Sequence, residues 1–352
     1  MNRPATYKEI LRQPTTWENT IRSLDGERER IKAFFGETAF REVIFTGCGT
    51  SYYLSIVAAY HFQEQTGISA KAVPASDIML HPQSVITKLP TLVIGASRSG
   101  DTSELVKALH EVQKRGLARC LTVTGNPEGR SARLADCPVI LPHIREKSVV
   151  MTGSFTSMLL TLQMIATWIS EDKTHLQELH QLPRLGEKGL LEAERLARNL
   201  GEDLRFDHIV YLGLGAYFGL ACEGMLKMKE MTQVFCEAFN PLEFRHGPIS
   251  VIRERCRVFL LSQLSTRLYE RDLVKDLSRY GADVVVLGEE LGDFSVDHKL
   301  EFPPGLSDRS RALLYMPFLQ LTAYYRTLRM GLNPDRPRNL NPVVVLRDDK
   351  GE

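Results

Sequence analysis

The chain has 352 residues and a mass of 39.8 kDa, more than one hydrophobic core usually covers, so about two domains are expected and a small disulfide scaffold is excluded. With 43% hydrophobic and 25% charged residues, its composition is that of a folded protein and not of a disordered one. Forty-four basic against 43 acidic side chains leave a formal charge of +1, which excludes a global basic field for nucleic acid or an anionic membrane but not a local anion site. The opening MNRPATYKEILRQPTTWENT lacks the apolar core of a signal peptide and no long apolar run follows, so the expected compartment is the cytoplasm. Cys48, Cys120, Cys137, Cys222, Cys236 and Cys256 form no CxxC pair, and the histidines no HExxH. Neither a metal nor a redox motif is expected.

In chain order, the first β-branched run is REVIFTG (41–47), followed by a helix over 52–65. KAVPA, TLVIGAS (91–97), a helix over 102–115, CLTVTG (120–125) and PVILP (138–142) complete an alternation that reads as a doubly wound parallel α/β unit. An apolar helix over 155–170 then leads to EDKTHLQELHQLPRLGEKG (171–189), whose polarity reads as a linker. The same grammar restarts with HIVYLGLG (208–215), a helix through 231, RVFLLSQ (257–263), a helix over 269–280 and ADVVVLG (282–288). Both opening strands end in a small-residue turn, GCGTS (47–51) and GLGAY (213–217), which indicates an internal duplication. A last helix over 309–330 precedes a tail whose prolines forbid continued helix and which must lie over the body or be disordered. The expected organisation is a helical arm at 1–35, domains at 36–185 and 190–330, and a tail at 331–352.

A strand that stops at glycine and turns into a helix presents unpaired N–H groups and the positive end of a dipole, a place where an anion fits. Gly47-Cys48-Gly49-Thr50-Ser51 and Ser97-Arg98-Ser99-Gly100-Asp101-Thr102 are two such junctions, rich in hydroxyl donors. Helix capping alone explains one loop. Two at adjacent strand ends of one sheet favour a ligand in the crevice between them. GLGAYFG (213–219) matches GxGxxG by letter, yet the next strand, RVFLLSQ, ends in Gln and not in an acid that would hold a ribose. Close helix packing is the preferred reading there.

Glu223, Lys227 and Glu230 fall on one helical face beside Leu220, Leu226, Met231 and Val234. A surface ion pair explains that spacing by itself. The following segment, CEAFNPLEFRHGPIS (236–250), adds His246 in a loop held by Gly-Pro, so that an acid and a base of unlike type lie within a short stretch.

Taken together, GCGTSYYLS, ASRSGDTSE, EGMLKMKEMTQVFCEAFNPLEFRHGP and NPDRPRNL resemble the sugar isomerase (SIS) family, specifically the isomerase domain of glucosamine-6-phosphate synthase. The resemblance spans essentially the whole chain, from TYKEILRQP (6–14) onward. It implies two tandem SIS subdomains, each a flavodoxin-like parallel sheet flanked by helices, in a homodimer that needs no cofactor. It implies a phosphosugar site at Cys48, Gly49, Thr50, Ser51, Ser97, Arg98, Ser99 and Thr102. Glu230 takes the place of the proton-transfer base, with Glu223 and Lys227 lining the site. His246 takes the place of the ring-opening histidine, which in the family comes from the neighbouring subunit.

Three departures shape the expected activity. Met1-Asn2 begins almost directly at the isomerase segment, so no glutaminase segment is expected to supply ammonia from glutamine. PRNL is followed by Asn341-Pro342-Val343, and no lysine comes until Lys350, where the synthase has one that forms an imine with the keto sugar. REKSVVMTGSFTSM (145–158) looks more like the stand-alone deaminases and deglycases of the family. The leading expectation is therefore a glucosamine-6-phosphate deaminase giving fructose 6-phosphate and ammonia. The alternatives are a deglycase of phosphorylated fructose-amines and a non-catalytic phosphosugar sensor.

Overall fold

The computed structural model describes residues 3–346. Three helices, α1 (Ala5–Leu11), α2 (Gln13–Asp25) and α3 (Arg28–Gly36), lead into the first sheet. Its elements are β1 (Glu42–Gly47), α4 (Thr50–Thr66), β2 (Ser69–Pro74), α5 (Ala75–Leu80), α6 (Pro82–Val85), β3 (Thr91–Ser97), α7 (Ser103–Lys114), β4 (Arg119–Thr124), α8 (Arg130–Leu134) and β5 (Cys137–Ile140). Two long helices, α9 (Gly153–Ser170) and α10 (Lys173–Glu202), join it to the second. That half comprises β6 (His208–Gly213), α11 (Ala216–Thr232), β7 (Phe235–Phe239), α12 (Pro241–Phe244), β8 (Cys256–Leu261), α13 (Arg267–Arg279), β9 (Asp283–Gly288), β10 (His298–Glu301) and α14 (Asp308–Arg329).

Both sheets are parallel and five-stranded, ordered β2-β1-β3-β4-β5 and, in the same sense, β7-β6-β8-β9-β10. The duplication read from the two glycine turns is thus a repeat of topology, carried to backbone detail. Gly49 has φ 54° and ψ −123°, Gly215 has φ 57° and ψ −125°, and each precedes a 17-residue helix. In both sheets the chain leaves its first strand for one neighbour and returns on the other side, which puts a crevice at the C-terminal ends of β1 and β3, and again of β6 and β8.

Strand alternation splits the core. Val43 and Phe45 face a central cluster shared with Tyr211 and Phe259 of the other sheet, whereas Ile44 faces an outer cluster under α7. Helix α9 is buried on every side from Gly153 to Trp168, enclosed by other elements, and α14 is buried over most of its length.

The expected linker at 171–189 is instead the first half of α10, and the boundary expected near 185–190 falls inside that helix. Asp172 caps it by accepting from the His175 N–H, while Leu179, Leu182, Ala193, Ala197 and Leu200 form its buried stripe. Gly186 lies in it because a Cβ there would stand 2.4 Å from the Trp17 ring. The tail lies over the body. Asp335 accepts from Ala5 N at 2.9 Å and Thr6 N at 2.8 Å, capping α1, and its carbonyl accepts from Val149 N at 3.0 Å. Lys350 lies outside the described residues. Among those described, no helix is long and apolar enough to cross a membrane.

Candidate functional site

At the end of β1 the turn into α4 is so tight that a Cβ on Gly47 would lie 2.6 Å from the Ser51 Cβ. Gly49 turns the chain at positive φ, where only glycine is unstrained, and Thr50 and Ser51 enter the helix buried. Cys48 beside them is half-buried. Burial, aided by the charge of Glu104, pushes its thiol up to about 12, so it is a neutral group and not a nucleophile.

Next to it in the sheet, β3 ends at Ser97. Its hydroxyl lies 3.2 Å from that of Thr102 and 3.5 Å from that of Ser99, and it accepts from Gly100 N at 3.1 Å. The Ser99 hydroxyl accepts from Asp101 N at 3.2 Å. Gly100 has φ 74° and presses within 2.9 Å of the Gly129 Cα, measured from where a Cβ would stand, so this loop is fixed by backbone contact. The result is a cluster of three hydroxyls at the N-terminus of α7. The tail reaches that same helix end: Ser103 N donates to Val344 O at 3.3 Å and Leu346 N to Ser103 Oγ at 3.1 Å.

Arg98 is in this loop but does not join the hydroxyls. Its guanidinium donates to Glu146 Oε2 at 3.0 Å and to the carbonyls of Ser148, Val149 and Val150. Glu146 in turn accepts from Thr152 N at 2.9 Å and from the hydroxyls of Thr152 and Ser154, which caps α9. Sequence reasoning missed this strap. Its trace was Glu146 followed by closely spaced hydroxyl residues in REKSVVMTGSFTSM.

Helix α11 brings Glu223, Lys227 and Glu230 together as their spacing predicts, but inside the protein and not on a surface face. Lys227 and Glu223 are fully buried, and Glu230 keeps 19% of its side chain exposed. The Lys227 ammonium stands 2.5 Å from Glu230 Oε2, 3.4 Å from Glu223 Oε1 and 3.0 Å from the Thr50 hydroxyl, to which it donates. Thr50 thereby couples the cluster to the first glycine turn, since its hydroxyl also donates to Glu223 at 3.4 Å. Burial raises the Glu223 carboxyl to about 8 against the pull of Lys227, and the charge of Glu230 raises it further. For Lys227, burial works against the ammonium, but the two carboxylates outweigh it and hold its pKa above the ordinary lysine value. Near neutral pH burial thus favours a protonated Glu223 beside the Lys227 ammonium.

His246 stands apart from these groups. It follows α12, is exposed in the single chain, and its backbone N–H donates to Glu243 O at 3.0 Å. Among the described residues no hydrogen bond joins its ring to Glu230. GLGAYFG proves to be a packing device: Gly213 closes the turn against the Tyr217 carbonyl, and a Cβ on Gly219 would stand 2.6 Å from Val57 of α4.

The SIS domain family model matches residues 40–168 and 205–298, the two sheets with the loops described, and the chain belongs to that family. A glutamine–fructose-6-phosphate aminotransferase of Haemophilus influenzae is 27% identical over 96% of this chain, and one from Sulfurisphaera tokodaii 29% over 96%. The chain spans 58% and 56% of those two proteins. Among solved structures, a glucosamine-6-phosphate deaminase of Thermotoga maritima is 30% identical, covering 93% of this chain and all of its own, with a TM-score of 0.76. A tagatose-6-phosphate ketose/aldose isomerase of Escherichia coli, 24% identical over 99% of this chain and 97% of its own, shares the fold at a TM-score of 0.87.

Proposed function

We propose that the protein is an amino-sugar-phosphate deaminase that converts glucosamine 6-phosphate and water to fructose 6-phosphate and ammonia. The observation that carries this reading is the placement of Glu230, a part-exposed carboxylate held 2.5 Å from a fully buried ammonium that also touches the first glycine turn. The phosphate is bound by the hydroxyls of Ser97, Ser99 and Thr102, with Cys48, Gly49, Thr50 and Ser51 forming the opposite wall. Arg98 serves that loop from behind through its bond to Glu146.

Glu230 moves the proton between C2 and C1 of the opened sugar. Lys227 pairs with Glu230 and stabilises the negative charge that develops during the transfer, and Glu223, raised by burial, holds a proton beside it. The imine left at C2 is hydrolysed, releasing ammonia. We place ring opening on His246 of a partner subunit in a homodimer, because in one chain it lies exposed and unbonded to the cluster. Likeness to the Thermotoga maritima deaminase over its full length supports the direction of reaction.

The test is an assay of the purified protein on glucosamine 6-phosphate with ammonia and fructose 6-phosphate both measured, expected in equal amounts. Release of an amino acid from a fructose-amine 6-phosphate, with glucosamine 6-phosphate untouched, would replace this reading with that of a deglycase. Tight phosphosugar binding without turnover of either would replace it with a sensor.

A further inference from the structure

Helices α4 and α11 follow the same glycine turn and have the same length, so they compare position by position. Glu223, Lys227 and Glu230 of α11 correspond to Val57, His61 and Glu64 of α4. Val57 and His61 are buried, and burial holds the imidazole neutral, bonded to Gln163 at 2.9 Å. Glu64 is 62% exposed and pairs with Arg309 at 3.6 Å. The first residue of each helix differs as well: α4 begins with Thr50 and α11 with Ala216. The charged cluster therefore joins the helix of one half to the hydroxyl of the other, and the converse combination, His61 with Ala216, has neither ammonium nor hydroxyl.

An ammonium has three N–H donors, and that of Lys227 meets three acceptors, on Glu230, Glu223 and Thr50. Two of them stand on its own helix, three residues ahead and four behind, and draw a long flexible side chain in opposite directions along α11. Thr50 approaches from the other half of the chain and is itself buried. Its hydroxyl accepts from the ammonium at 3.0 Å and donates to Glu223 at 3.4 Å, so it is committed to the cluster on both sides. We infer that Thr50 is a positioning residue, whose hydroxyl fixes the Lys227 ammonium between the two carboxylates and serves the proton transfer and not the phosphate. The inference rests on reading Glu230 as the base. It adds the reason why a duplicated fold has one acid–base centre.

Thr50→Val keeps the shape and removes the hydroxyl, whereas Thr50→Ser keeps the hydroxyl. Crystal structures of the two variants are the first readout. In Thr50→Val the ammonium is expected to have left hydrogen-bonding distance of one of the two carboxylates, and in Thr50→Ser to bond both. Unchanged bonds to both carboxylates in Thr50→Val would overturn the inference, whatever the substrate. The second readout is steady-state deamination of glucosamine 6-phosphate. In Thr50→Val kcat should fall about tenfold or more with KM within about threefold of the wild type, and Thr50→Ser should recover most of the loss. A raised KM with unchanged kcat would make Thr50 a substrate contact and overturn the inference as well. Wild-type protein that leaves glucosamine 6-phosphate untouched would instead count against the proposed deaminase, a separable outcome, since the crystallographic comparison still decides the role of Thr50. Should Thr50→Val not fold, Thr50→Ala, with the side chain that the second half has at this place, is read in the same way.

Discussion

Thr50 and Lys227 meet at 3.0 Å although 177 residues of chain separate them, one in the first turn of α4 and the other near the end of α11. The contact makes the buried ammonium a joint between the two halves as well as a charge in the site. Lys227→Met would leave Glu230 and the buried Glu223 facing each other without a cation, a loss of about 3 kcal/mol or more for a broken buried pair. Denaturant unfolding near neutral pH measures it. A loss below about 1 kcal/mol would mean that Glu223 and Glu230 absorb the change by protonation alone.

Glu230→Gln keeps shape and hydrogen bonding but removes the proton acceptor. Turnover should fall by roughly 10² to 10⁴ with phosphosugar affinity retained. If His246 serves the neighbouring site, mixing Glu230→Gln with His246→Asn subunits restores part of the activity, because one site of each mixed dimer has both wild-type groups. Near-normal turnover in the first variant, or no complementation after proven subunit exchange, would count against the respective role.

Ser97→Ala combined with Thr102→Ala removes two of the three hydroxyls at the start of α7. Each hydrogen bond to a charged phosphate is worth about 1.5 to 3 kcal/mol, so phosphosugar binding should weaken at least tenfold. Titration with fructose 6-phosphate checks this. Unchanged affinity would reduce the cluster to helix capping.

No imine to a keto sugar should form on Lys227. Glu223 and Glu230 hold its pKa above the ordinary lysine value, Pro342 of the tail has no amine, and Lys350 lies outside the described residues. Borohydride treatment with fructose 6-phosphate should leave the intact mass unchanged. A reduced adduct mapped to Lys227 would move the mechanism to Schiff-base chemistry.

His61 and His175 are buried against one another's elements, bonded to Gln163 at 2.9 Å and to Gln65 at 2.7 Å. Burial lowers them to about 3 and about 4, with Arg309 opposing protonation of both and Glu178 and Asp172 favouring it at His175. Their folded values lie below the unfolded value of about 6.5, so the stability they contribute is complete above that pH and is lost as pH falls toward 4. Between about pH 7 and 5 each should remove about 2 kcal/mol. Glu223 and Glu270, raised to about 8 and about 7 mainly by burial, act in the opposite sense, losing stability as pH rises. The measurement is therefore the difference between wild type and His175→Gln, whose acid slope should be shallower. Identical slopes would remove His175 from the account.

The strands that carry the site, both glycine turns and the Glu223–Lys227–Glu230 face were legible because local pattern and tertiary role agree there. The edge strands β7 and β10 were not. FCEAF is short and HKLE polar, and their extended form comes from pairing with β6 and β9. The first half of α10 reads as a linker in sequence because it is polar, while the stripe from Leu179 to Leu200 that argues for a helix is diluted by small residues. Arg98 illustrates a different limit. Its loop position was plain, but which way a long side chain turns depends on Glu146, 48 residues further on.

The glycine at 219 places α11 so close to α4 that the would-be Cβ lies 2.7 Å from the Tyr53 carbonyl. Helices joined that closely have no slack for a hinge, and the Lys227–Thr50 bond crosses the same seam. A clamshell opening of one half against the other would have to break both contacts. The tail segment at Val344 to Leu346, bonded to Ser103, and the loop that carries His246 lie outside that seam.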